Sequence, residues 1–230
     1  MKVAIHQPNF LPWPGYFHKY ALADLMVHMD TAQHVRLEFD HRNWIKIPDG
    51  SKRWIIVHRA GSNPFAQPLN RVRLANDEWR TIIQNRLYNS YHQAPYYHLY
   101  IDNLMDVLRR KWASLASLNL ALINYICQEL EIATPSLRLS ELGVDFGQHT
   151  GQLIRIARHA GADTYLSGMG AREYLDEGAF QKAGIKLEYQ HYTPILYPQL
   201  YGEFIPNLSI IDLLFNTGPE ARTYLFGGPP

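Results

Sequence analysis

Val3-Ala4-Ile5-His6-Gln7-Pro8-Asn9-Phe10-Leu11-Pro12-Trp13-Pro14-Gly15-Tyr16-Phe17-His18-Lys19 is the stretch on which the fold turns. Val3 to His6 is a short apolar run and reads as a strand. Three prolines and a glycine then forbid a helix from Gln7 to Gly15 and stiffen the loop. Tyr16 to Ala23 can make two helical turns. Asp24 leads into Leu25-Met26-Val27-His28-Met29, a second strand that ends at Asp30. A strand, a loop, a helix and a strand form a βαβ unit, which requires parallel pairing.

Trp44-Ile45-Lys46-Ile47 and Trp54-Ile55-Ile56-Val57 flank the turn Pro48-Asp49-Gly50-Ser51, the pattern of a hairpin. Residues 76–131 carry apolar positions at helical spacing. Asn76 is the expected cap of the first helix there. After Pro135 the pattern returns to α/β. Ser136-Leu137-Arg138-Leu139 reads as a strand, His149 to Ala160 as a helix and Thr164 to Ser167 as a strand. Ala171 to Ala183 reads as a helix and Ile185 to Tyr189 as another strand. Ser209-Ile210-Ile211-Asp212 has the pattern of a capping box at the start of a last helix. The expected fold is α/β: a Rossmann-like, mostly parallel sheet with a β-hairpin and an inserted helical block. Residues 1–75 form the N-terminal α/β part with the hairpin, 76–134 the helical insertion, and 135–225 the C-terminal α/β part that completes one sheet in a single globular domain.

Composition narrows the function classes. The chain has 230 residues, 47% of them hydrophobic, with 22 Lys and Arg against 21 Asp and Glu. It can bury a core, and it lacks the basic excess of a general nucleic-acid binder. The single cysteine, Cys127, rules out an intrachain disulfide and a multi-thiolate zinc site. Eleven scattered histidines give no helical His-x-x-x-His pair, so no metal is expected. No apolar run is long enough to span a bilayer, and the opening run is too short for a signal peptide. The expectation is a cytoplasmic protein with a small polar or anionic substrate, no nucleic-acid partner and no membrane insertion.

In a parallel sheet, ligands collect where the C-terminal ends of strands meet loops. Two such loops have unusual composition. In the first, His6 ends a strand, Gln7 and Asn9 follow in a proline-stiffened frame, and His18 and Lys19 are expected at the start of the next helix. That helix start would offer N–H groups to an anion, with the Lys19 charge beside them. In the second, Ser167-Gly168-Met169-Gly170-Ala171-Arg172 follows a strand and is expected to open a helix, so Gly168 and Gly170 would let backbone amides approach a phosphate or carboxylate. Asp30, Arg42 and Asn43 are further candidates for binding, and His6 and His18 are the candidate catalytic groups. No Gly-x-Ser-x-Gly elbow is present, which argues against a serine hydrolase.

Four blocks resemble the WbqC-like family: His6 to Phe17, Arg42-Asn43-x-Ile45-Lys46, Tyr165-Leu166-Ser167-Gly168-x-Gly170-Ala171, and Leu208 to Asn216. The resemblance implies a place in bacterial O-antigen or related glycan gene clusters and brings no established catalytic residues. His28 departs from the apolar residue expected in the family's second strand. More distantly, the strand, proline loop, Gly15, His18 and helix look like the opening of HIGH-type nucleotidyltransferases, although His-x-Gly-His is absent. That likeness implies a nucleotide triphosphate as cofactor or donor. The resulting expectation is a transferase of a nucleotidyl, acyl or aminoacyl group onto a small polar acceptor. The alternative is a non-catalytic ligand-binding or scaffold protein of such a pathway.

Overall fold

A computed structural model describes residues 1–36, 38–61, 65 and 67–227. The opening βαβ unit consists of β1 (Lys2–His6), α1 (Pro14–Leu22) and β2 (Leu25–His28). The hairpin β3 (Arg42–Lys46) and β4 (Lys52–Ile56) follows, then the helical block α2 (Glu78–Tyr91), α3 (Tyr97–Arg109) and α4 (Leu115–Glu129). The C-terminal part comprises β5 (Ser136–Arg138), α5 (His149–His159), β6 (Thr164–Gly168), α6 (Glu177–Lys182), β7 (Lys186–Gln190), α7 (Ile210–Thr217) and α8 (Ala221–Phe226).

Among the described residues, five strands form one sheet in the order β5-β2-β1-β6-β7, with every pair parallel. Ranked along the chain, those strands lie in the order 3-2-1-4-5. The direction of winding therefore reverses between β1 and β6, and a crevice at their C-terminal ends is the expected ligand position. The hairpin pairs antiparallel on its own, with Trp44 opposite Trp54.

The alternation of β1 explains the layers. Ala4 packs with Met26 and Leu166 into a core made with α1, the hairpin, the helical block, α7 and α8. Val3 and Ile5 point to the other face, where they pack with Val27, Tyr165 and residues of α5 and α6. A central parallel strand covered on both faces must be apolar throughout, and Val3-Ala4-Ile5 is. No helix among the described residues is long and apolar enough to cross a membrane.

Three local expectations are corrected. The helix after the proline loop begins at Pro14, not Tyr16, because proline at the first helical position loses no hydrogen bond there. His18 and Lys19 therefore lie past the helix start. The chain after Gly168 makes only a short 3-10 turn at Met169–Ala171, and α6 starts at Glu177, where the Asp176 side chain accepts from the Ala179 N–H. The capping box at Ser209 does not form. Ser209 Oγ donates instead to the Leu11 carbonyl at 2.8 Å, and the Asp212 carboxylate accepts from Tyr91, Tyr197 and Gln199.

Candidate active site

Loop 7–13 leaves β1 with several backbone carbonyls turned inward, and side chains from distant parts of the chain satisfy them. Asn119 Nδ2 donates to the Pro8 carbonyl at 2.8 Å. Asn43 Nδ2 donates to the carbonyls of Phe10 and Leu11 at 3.3 and 2.7 Å. The Ile210 N–H reaches the Pro12 carbonyl at 2.8 Å. These bonds hold Leu11 in a left-handed conformation, with φ of 41°. The loop is thus fixed by the hairpin, α4 and the start of α7. At its end the Trp13 indole lies over Gly15, where a Cβ would collide with the ring.

His6 stands at the C-terminal end of β1. Its Nδ1 contacts the Gln7 carbonyl at 2.8 Å. A carbonyl oxygen only accepts, so Nδ1 carries the proton and the neutral ring keeps its lone pair on Nε2. Burial, with the nearby Lys19 charge adding to it, lowers the His6 pKa to about 3. The ring edge packs on Tyr16, with centroids 4.9 Å apart. His28, opposite His6 in the sheet register, is also buried, and burial together with the Arg138 charge lowers its pKa to about 3.

Lys19 is only 4% exposed. Among the described residues, no carboxylate forms a salt bridge with its Nζ, and burial lowers its pKa to about 7. A buried ammonium without a counter-ion is costly unless a ligand supplies the charge.

A cavity of about 360 Å³ brings the two candidate loops together. It is lined by His6, Trp13 and Lys19 from the first, by Ser167, Gly168, Met169, Gly170 and Ala171 from the second, and by Gln190 and Tyr192. A Cβ at Gly168 or Gly170 would meet nothing within 4 Å, so the backbone of that turn is open. A second cavity, of about 480 Å³, adjoins it and shares Ile5, His6, Tyr165 and Tyr174. Gln7 lines this larger space.

The other candidates fall elsewhere. His18 lies between Tyr192 and Phe226, and Gln190 Nε2, which also donates to the Gly15 carbonyl, contacts His18 Nδ1 at 2.8 Å. That contact uses the Nδ1 lone pair and leaves Nε2 as the donor, so His18 positions Gln190 on the cavity wall. Asp30 accepts from the Ser140 N–H and hydroxyl and anchors the turn after β5. Arg42 stacks on Trp54, with its guanidinium carbon 4.1 Å from the ring centroid. Asn43 holds the loop, and Arg172 is exposed beside the Tyr189 ring. Asn9 is half-buried in the loop and is not among the cavity-lining residues.

Two clusters join residues that no sequence pattern brings together. Asp212 joins Tyr91, Tyr197 and Gln199, and Gln199 also accepts from the buried Lys46. Burial raises the Asp212 pKa, with the three donors opposing that shift. The second cluster is His34, Asp40 and His41, whose candidate ligand atoms converge within 4.8 Å. Both imidazoles contact the Asp40 carboxylate through Nδ1, at 2.6 and 2.7 Å. Ligands around one zinc ion would sit about 3.4 Å apart. The distances fit two N–H groups donating to one carboxylate. The Arg59 charge lies close enough to lower the His41 pKa after burial and would oppose a cation there. The triad ties the two ends of the 34–41 loop together.

Comparison with known proteins gives two matches. The model described as the WbqC-like protein family matches residues 7–224. An uncharacterised protein of Mycobacterium tuberculosis is 34% identical over 226 residues, covering 97% of this chain and 97% of that protein. No solved structure matches the chain.

Proposed function

Since the chain belongs to the WbqC-like protein family, we propose that it is a transferase acting in bacterial O-antigen, surface-glycan or related metabolite assembly. It moves a nucleotidyl, acyl or aminoacyl group from an activated anionic donor to a small polar acceptor. The observation that carries this reading is the buried Lys19, without a salt-bridge partner among the described residues, lining one cavity together with an open glycine turn and His6.

The donor's phosphate or carboxylate sits against Lys19 Nζ and the amides of residues 168–171, and a nucleoside triphosphate is the donor class that fits best. The acceptor approaches His6 Nε2. Its oxygen or nitrogen lone pair forms a bond to the phosphorus or carbonyl carbon. The bond to the leaving group breaks, and that electron pair stays on the departing anion beside Lys19. The acceptor proton passes to His6 Nε2. His6 is a weak base in the empty crevice, and a bound anion opposes the two largest causes of that weakness, namely missing solvation and the neighbouring Lys19 charge.

The test is turnover of purified protein with nucleoside triphosphates and candidate sugar or amino-acid acceptors. His6→Ala is expected to lose about 100-fold or more of the rate. Unchanged turnover in both His6→Ala and Lys19→Met would remove the assigned roles. The low basicity of His6 also favours one alternative, a non-catalytic ligand-binding protein, for which the same assay would show binding through Lys19 with no product.

A further inference from the structure

The two cavities differ in charge. Lys19 is the basic residue lining the smaller one, and no carboxylate is among the described residues that line it. The larger is lined by Glu38 and, among the described residues, by no Lys or Arg, together with the neutral donors and acceptors of Gln7, Thr150 and Gln152. His6 belongs to both walls. His149, at the mouth of the larger cavity, has a φ of 57°, a strained conformation for a non-glycine residue and one that concentrates at functional sites. A single elongated ligand would meet a cation at one end and a carboxylate at the other. Two separate ligands would each meet a matched charge, with the imidazole between them.

We propose that the crevice binds two ligands at once, an anion in the Lys19 lobe and an amine-bearing polar acceptor in the Glu38 lobe. This rests on the transferase reading and adds the chemical class of its acceptor. Glu38 holds the ammonium form of the acceptor at the rim, and the polar groups of Gln7, Thr150 and Gln152 take its hydroxyls. The two bound charges lie on either side of His6 and attract each other, so each ligand strengthens the binding of the other.

Calorimetric titration of the whole protein with inorganic pyrophosphate and with glucosamine tests this. Each probe is expected to bind one to one, and glucosamine is expected to bind more tightly to the pyrophosphate-saturated protein. Glu38→Gln, a nearly isosteric change at an exposed position, should weaken glucosamine about tenfold and leave pyrophosphate unaffected. Lys19→Met should weaken pyrophosphate about 100-fold and leave glucosamine binding to the empty protein unchanged. N-Acetylglucosamine, which has no ammonium, should bind about as weakly as glucosamine binds Glu38→Gln. Competition between the probes, equal binding of the acetylated sugar, or indifference to Glu38→Gln overturns the inference. Pyrophosphate failing to bind while glucosamine binds through Glu38 would instead overturn the anion site and leave the acceptor lobe standing.

Discussion

The two loops that meet at the switch point are built in opposite ways. Loop 7–13 is tied by Asn43, Asn119, Ser209 and Ile210, and most of its residues are buried. The 168–176 segment makes one short 3-10 turn and exposes Met169 and Tyr174, the latter 72% accessible. The lesson is a division of labour. One wall of the crevice holds His6 in a fixed place, and the other presents open backbone that can adjust to a ligand. Changes to the residues that tie loop 7–13 should therefore appear mainly as lost stability, and changes to the backbone of the glycine turn as lost binding.

The largest effect is expected at Asn43. Asn43→Ala removes the side-chain donor to the Phe10 carbonyl and one of two donors to the Leu11 carbonyl, Ser209 Oγ being the other, and chemical denaturation should show a loss of about 2–3 kcal/mol. A loss no larger than that of an exposed alanine substitution would show that the loop is not held this way. The same small substitution in each loop sharpens the contrast. Gly15→Ala must displace the Trp13 indole, at a cost of about 1–2 kcal/mol and with a change in tryptophan fluorescence.

Lys19 joins the two walls through pH. Its folded pKa of about 7 lies below the ordinary 10.5, so between these values the unfolded chain holds a proton that the empty fold has released. Between about pH 7 and 8.5, below the range where the raised pKa of the buried Cys127 thiol gives the opposite slope, stability of the empty protein should rise by up to about 1.4 kcal/mol per pH unit from this group, and Lys19→Met should remove that part of the slope. Anion binding restores the proton. Affinity for sulfate, which does not titrate here, should fall about tenfold per pH unit above 7. Equal slopes in wild type and Lys19→Met over that range would contradict the burial of a Lys19 without a salt-bridge partner among the described residues. The smallest effect on stability is expected at Gly170. Gly170→Ala meets open space and should change stability by less than about 0.5 kcal/mol while weakening pyrophosphate severalfold.

Much of the fold was legible because its signals are local. The apolar run Val3 to Ile5, the Pro48 to Ser51 turn and the helical stripes of residues 76–131 each report a period or a turn. The sharing of one cavity by His6 and Ser167 to Ala171 follows from strand order, which parallel α/β topology constrains. What failed was local pattern overridden by distant contacts. Ser209 and Asp212 have the spacing of a cap, but the hydroxyl reaches Leu11 and the carboxylate reaches Tyr91 and Tyr197. The sequence pattern of residues 171–176 is helical, but the Asp176 side chain starts the helix later. Asn43 resembles a ligand contact in the sequence because its partners, the loop carbonyls, carry no side-chain signal. The His34, Asp40 and His41 triad lies in a loop with no period to betray it.

The central claim is that Lys19 and the open glycine turn hold an anion beside His6. A crystal structure with inorganic pyrophosphate tests it most directly. The account predicts phosphate oxygens within hydrogen-bond distance of Lys19 Nζ and of backbone amides in residues 168–171. Pyrophosphate bound elsewhere, with this crevice empty at saturating concentration, would contradict it.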